Sequence, residues 1–171
     1  ITSLQVRFDT TVSHANLNSA FNVTNIDSGA VVGSVSVQAV DIGGKTIANL
    51  TFGGQSTVSR ASLASSLTDG NYRLDVLRPR VVSDTGHTMA SDFIFGGQTS
   101  SQVNGNDDFF RLYGDEDGDG DVDLDDLNDY FAPALFVSSN YLASLDGDGD
   151  GDIDLDDLNN FISPNLFESR I

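Results

Sequence analysis

The residues best able to do chemistry lie toward the end of this 171-residue chain, as two copies of one acidic pattern. The segment GDEDGDGDVDLDDLNDYFAPALF (114–136) recurs as LDGDGDGDIDLDDLNNFISPNLF (145–167), 31 residues further on. Each copy contains D-x-D-x-D-G-x-[VI]-x-x-x-D. Side chains offering only oxygen suit a hard dication, which takes six to eight oxygens and is wrapped by a twelve-residue loop. Asp115, Asp117 and Asp119 occupy loop positions 1, 3 and 5, with Gly120 at 6, Asp121 at 7, Val122 at 8 and Asp126 at 12. Asp146, Asp148, Asp150, Gly151, Asp152, Ile153 and Asp157 repeat the series. Alternate carboxylates converge because the chain curls, and the sixth residue turns sharply, which glycine does without a Cβ clash. Position 7 supplies its backbone carbonyl, from Asp121 or Asp152, and position 9, Asp123 or Asp154, acts through a water. The spacing implies two Ca2+ sites.

Disorder suits an acidic, glycine-rich stretch but leaves unexplained the phased Gly, Val/Ile, Leu and Pro of two copies. The nonapeptide repeat of calcium-binding β-rolls needs G-G-x-G-x-D at a shorter period, which is absent. Electrostatics also asks for a cation, since two carboxylates about 5 Å apart repel by ~0.8 kcal/mol even at water's dielectric. So small and acidic a segment is expected to fold only with its metal.

Elements must position these loops. A short amphipathic helix is expected after each, with stripes Leu124, Leu127, Phe131 and Leu155, Leu158, Ile162. Pro133 and Pro164 are expected to stop them. SSNYLASL (138–145) reads as a helix leading into the second loop, capped by Ser138 or Ser139. The apolar residue at position 8 is expected to pack inward, where the loops form a short β contact.

Upstream, the chain alternates with period two at Leu4/Val6/Phe8, Phe21/Val23, Val35/Val37/Ala39, Ala48/Leu50/Phe52, Tyr72/Leu74/Val76 and Phe93/Phe95. Turn dipeptides Gly43-Gly44, Asp69-Gly70 and Thr85-Gly86 separate these runs. Many short strands without a comparable helical stripe predict a mainly β chain, an immunoglobulin-like β-sandwich followed by a small α-helical domain. Tyr72, just after Asp69-Gly70, is placed to turn its hydroxyl back onto the preceding corner.

Charge divides the chain likewise. Residues 1–109 carry nine acids and six bases, whereas residues 110–171 carry 17 acids and two bases. Residues 1–98 read as the sandwich, 99–108 as a Gly/Ser/Asn/Gln-rich linker and 109–171 as the calcium-loop domain. A net charge of -18 argues against nucleic acid or an anionic membrane surface as partner. No apolar run approaches the roughly 18 residues of a membrane span. With zero cysteines there is no disulfide framework, thiolate zinc site or thiol nucleophile. A start at Ile1 without a signal-like segment suggests a processed or excised piece.

Two calcium loops 31 residues apart, each followed by one short helix and the first lacking a full entering helix, resemble a type I dockerin module over about residues 109–167. Asp at position 12, in place of the usual Glu of EF-hands, agrees with that pattern. The resemblance implies ligands Asp115, Asp117, Asp119 and Asp126, then Asp146, Asp148, Asp150 and Asp157, with backbone oxygens of Asp121 and Asp152. The whole architecture is similar to the C-terminal end of large secreted bacterial surface proteins, which implies a secreted or cell-surface location. Dockerins of cellulose-degrading complexes carry small hydroxyl residues at positions 10 and 11, where the partner cohesin is contacted. Here Leu124-Asp125 and Leu155-Asp156 stand instead, arguing against a cohesin of the familiar kind. Since both copies hold the same pair, their face is nearly two-fold symmetric, suited to a protein partner in either orientation or to self-assembly.

These readings converge on a non-catalytic, calcium-dependent structural or docking module. The alternatives are a cohesin-partnered dockerin delivering an enzyme to a complex and a calcium-dependent adhesin or glycan binder. Catalytic signals are thin. Asp27-Ser28-Gly29 and Asp84-Thr85-Gly86 match the D-[ST]-G carboxylates of aspartic proteases but read equally as turns. His14 and His87 have no nucleophile in a recognisable elbow.

Overall fold

The computed structural model describes residues 1–58, 64–97, 109–162, 166–167 and 169. The chain is mainly β, with every strand pair among the described residues antiparallel. Strands β1 (Ser3–Arg7), β4 (Ser34–Ile42) and β5 (Lys45–Gly53) form one sheet in the order β1-β5-β4. The second sheet contains β2 (Phe21–Asn25), β3 (Ala30–Val31), β8 (Gly70–Val76), β9 (Phe93–Gly96) and β10 (Phe110–Arg111). Two further short strands, β6 (Thr57–Val58) and β7 (Ser66–Leu67), pair with each other. Each alternating run lies wholly or largely in a strand, because period-two burial is what a half-buried strand requires. Side chains of both sheets share one core, with Leu50 and Phe52 of β5 meeting Phe21 and Val23 of β2 and Leu74 of β8.

Gly43 and Gly44 close the β4–β5 hairpin with φ of 60° and 76°, and Ile42 pairs with Lys45. Two positive φ values in succession give a turn whose twist matches that of the flanking strands.

The far edge of β8 joins the two halves of the chain. β9 pairs with Arg73–Val76 and β10 with Gly70–Asn71 on that edge. Tyr72 lies between them, its carbonyl accepting from the Gly97 amide and its amide donating to the Phe109 carbonyl. Gly96 is required there, since a Cβ would lie 2.5 Å from the Tyr72 oxygen and 2.7 Å from the Phe109 Cβ. Phe109 is buried in the first core, its ring centroid 5.4 Å from Tyr72 and 6.1 Å from Phe95. The Asp69 carboxylate receives the Arg111 guanidinium and the Tyr113 amide, carrying the chain to a second core of Tyr113, Val122, Phe131, Ala134, Leu145, Ile153 and Phe161. The charge step near residue 109 therefore coincides with a handover between two packed cores. The expected linker (99–108), like Pro164, lies outside the described residues.

In the second half, three expectations about helices are corrected. Leu124 and Leu155 are 50% and 60% exposed, so neither opens a buried stripe. The first helix runs from Leu124–Asp126 through a π turn, Leu127–Phe131, to Ala132–Ala134, and the second spans Leu155–Asn160 before passing into π conformation only at Phe161 and Ile162. Their inward faces begin at Asp126 and Asp157, which are buried, and continue to Phe131 and Phe161 rather than to Ile162. The 31-residue offset would pair Phe131 with Ile162. A π turn holds one more residue than an α turn, so in the first copy the side chain five beyond the aspartate arrives where the fourth does in the second. The two rings meet at a centroid distance of 4.8 Å.

Pro133 does not stop its helix but sits within the final turn, which the π turn makes tolerable by loosening the preceding hydrogen-bond ladder. Residues 138–145 form no entering α-helix. A single 3₁₀ turn, Ser138–Asn140, follows Val137, which offers no capping oxygen, and Tyr141 then turns its hydroxyl to Asp146.

The Tyr72 hydroxyl donates to the Thr68 carbonyl at 2.7 Å and lies 3.0 Å from the Thr68 hydroxyl, closing the corner before β8. Tyr72→Phe strands that carbonyl and is expected to cost about 1–2 kcal/mol in urea unfolding, with the fold retained.

Candidate metal centres

The two acidic loops are built by the same hydrogen bonds. Asp115 accepts the amides of Gly118 and Gly120 at 2.7 and 3.1 Å, and Asp146 accepts those of Gly149 and Gly151 at 2.6 and 3.2 Å. Asp117 receives the Asp119 amide as Asp148 receives that of Asp150, each at 3.1 Å. Asp119 and Asp150 accept from Asp121 and Asp152 at 3.1 and 3.2 Å. Gly120 and Gly151 make the expected sharp turn, with φ of 97° and 104°.

Asp126 and Asp157 fasten each loop to its helix. One oxygen of Asp126 takes the Glu116 amide at 2.8 Å, and the other takes the Asp123 amide at 3.0 Å. Asp157 takes the amides of Gly147 and Asp154 at 2.6 and 3.0 Å. Asp123 and Asp154 are the helix N-caps, accepting from Asp125 and Asp156, and each completes a capping box with the position-12 carboxylate. That role had no place in the sequence reading of Asp123 and Asp154, although Asp three residues before Asp announces it.

Three side-chain oxygens, one each from Asp115, Asp117 and Asp126, lie within 4.8 Å of one another, as do those of Asp146, Asp148 and Asp157. Asp152, Asp154 and Asp157 make a further such group. The position-5 side chains, Asp119 and Asp150, are not in these groups. The donors are oxygen throughout, which fits calcium or magnesium rather than a thiophilic metal. With a position-7 carbonyl and water, the three carboxylates of a loop approach the coordination number of calcium.

The loops meet each other differently from the expected β contact. Val122 and Ile153 are buried, but their carbonyls accept from the amides of Phe167 and Phe136, at 2.6 and 2.8 Å. Each loop is thus tied to the segment that follows the opposite helix. Both phenylalanines hold left-handed φ, 68° and 59°, a costly conformation for a bulky residue that the reciprocal bonds hold in place.

Further polar contacts had no signal in the spacing. The Tyr141 hydroxyl donates to Asp146 at 2.6 Å, the Tyr113 hydroxyl to the Leu145 carbonyl at 2.7 Å and the Ser144 hydroxyl to Glu116 at 2.8 Å. Residue 110, the counterpart of Tyr141, is Phe and pairs with β8, so the copies diverge just ahead of each loop.

Among the described residues, no helix is long and apolar enough to cross a membrane. No protein-family model, curated protein or solved structure matches the chain.

Burial drives the Asp115 carboxyl up to about 6 from an ordinary 3.8, reinforced by Asp126 and Asp119 and opposed by the Gly118 and Gly120 amides. Burial likewise raises Asp157. A raised folded-state value means that ionisation disfavours the fold. In EDTA, stability should fall as pH rises from ~4 to ~6 and level off above, with Asp115→Asn removing part of the slope. In excess calcium the trend should reverse, because the metal needs the ionised form. Thermal unfolding across that range measures both.

Proposed function

We propose that the chain is a non-catalytic, calcium-binding docking or structural module of a secreted or surface protein. In this reading residues 1–98 are an immunoglobulin-like sandwich, 99–108 a linker and 109–171 a dockerin-like pair of calcium loops. The observation that carries it is the duplicated loop, in which three aspartate side chains converge over the same amide pattern twice. Loop geometry held by buried like charges is what a divalent ion neutralises. The ligands are Asp115, Asp117, Asp119 and Asp126 with the Asp121 carbonyl, and Asp146, Asp148, Asp150 and Asp157 with the Asp152 carbonyl.

The partner face comprises Leu124, Asp125, Leu155 and Asp156, all exposed directly after the two N-caps. Two identical leucine–aspartate pairs suit a protein surface, a cohesin-like domain or a second copy, better than a sugar or nucleic acid. The catalytic alternative has little support. Asp27 is engaged by the Asn71 amide at 2.7 Å in the corner before β8, and Asp84 belongs to the turn from Ser83 to Gly86.

Titration calorimetry should find two calcium ions per chain, with affinities of ~10^-4 to 10^-3 M or tighter. Asp126→Asn should leave one, and the double change with Asp157→Asn none. Absence of binding at millimolar calcium refutes the proposal. In far-ultraviolet circular dichroism of the full chain above pH ~6, where Asp115 is ionised and the metal-free fold is least stable, EDTA should remove the helical component and leave the strand signal, since the two cores are distinct.

A further inference from the structure

We infer that the open side of the two sheets, between β1 and β9, is a docking groove for one extended strand of a different polypeptide, added along β9. The groove has a volume of about 510 Å³. Leu4, Val6 and Phe8 of β1 form one wall, while Phe93, Phe95 and Met89 form the other. The β1 side chains are only half-buried, although they point toward the core.

The sheet edges on the opposite side are protected. Asn18 accepts the Val37 amide of β4 at 3.1 Å, and β3 is only two residues long. Natural sheets blunt their edges with such devices or with charge. β1 carries Arg7. β9, of sequence FIFG, carries no charge and leaves Phe93 and Ile94 51% and 58% exposed.

Backbone alternation sets the available hydrogen bonds. The Tyr72 carbonyl faces the β9 edge, so Leu74 and Val76 do too, and they bond to Phe95 and Phe93. The N–H and C=O of Ile94 therefore point away from β8, into the opening. An extended polypeptide is the ligand that satisfies such a pair while dropping alternate apolar side chains onto Leu4, Val6 and Phe8. Charge specifies it further. Arg7 forms no ion pair among the described residues, whereas Asp9 pairs with Lys45. Arg7 on the rim thus suits an acidic residue flanking the apolar run.

The probe is a synthetic peptide of about eight residues alternating Val and Thr and beginning with Asp, added to the full chain in calcium. Amide exchange followed by nuclear magnetic resonance should show saturable protection of the Ile94 amide by about tenfold or more. Ile94→Pro removes only an outward N–H, so it should abolish binding with the thermal midpoint nearly unchanged. Arg7→Glu should weaken binding about fivefold or more. No protection in the parent chain, or equal binding by Ile94→Pro, overturns the inference. Dimerisation of the chain alone with the same amide protected also overturns it, making a second copy the occupant.

Discussion

At position 12 of each acidic loop, a buried carboxylate accepts an amide from the start of the loop and another from the N-cap of the helix that follows. On this contact the geometry of the second half depends. It pulls the beginning and end of the loop together, sets where the helix starts and chooses which helical face turns inward. Because Asp126 and Asp157 must face the loop, the leucines two residues earlier are carried out to solvent. The same act that shapes an ion site therefore exposes a matched pair of apolar side chains. Burying a charge is costly unless donors or a counter-ion answer it. The loop amides answer part of that cost, and a divalent ion is the natural answer to the remainder.

A second constraint couples the acidic half to the sheets. Tyr72 distributes its backbone between Gly97 and Phe109, so the chain on both sides of the intervening segment is fastened at one residue of β8. Phe109 then enters the first core, and Arg111 and Tyr113 meet Asp69. Asp115 lies only two residues beyond Tyr113, so the first loop begins against an anchored strand. The second loop is held by other neighbours. Among them are Tyr141, whose hydroxyl reaches Asp146, and Phe136, whose amide donates to the Ile153 carbonyl. Two nearly identical sequences are thereby held by different neighbours.

Much of this was legible in the residues. Alternation at Leu4/Val6/Phe8 or Ala48/Leu50/Phe52 marks strands because only a pleated backbone sends successive side chains to opposite faces. The aspartate spacing implied converging carboxylates at positions 1, 3 and 5, and Asp115 and Asp117 do converge, with Asp126 rather than Asp119 as the third. Less legible was the inward face of each helix. Hydrophobicity nominated Leu124 and Ile162, but the loop's demand for a buried aspartate outweighs the burial of one leucine. The π turn was equally hidden, since no apolar spacing distinguishes it from an α turn, although it accompanies the meeting of Phe131 with Phe161 across the repeat. The capping role of Asp123 was readable in principle, yet the same residue also fits a ligand position, and spacing cannot separate the two.

The sequence by itself determined the place of the six longer strands, though not of the two-residue strands β3, β6, β7 and β10, together with the duplicated loop and the imbalance of charge between the halves. These follow from periodicity, glycine conformation and side-chain chemistry, all local properties. Tertiary structure alone decided the sharing of the β8 edge, the inward turn of Asp126 and Asp157, the exposure of Leu124 and Leu155 and the open side between β1 and β9. Each of these is a competition between segments far apart in the chain for the same buried space or the same backbone donors, and no local pattern records who wins it.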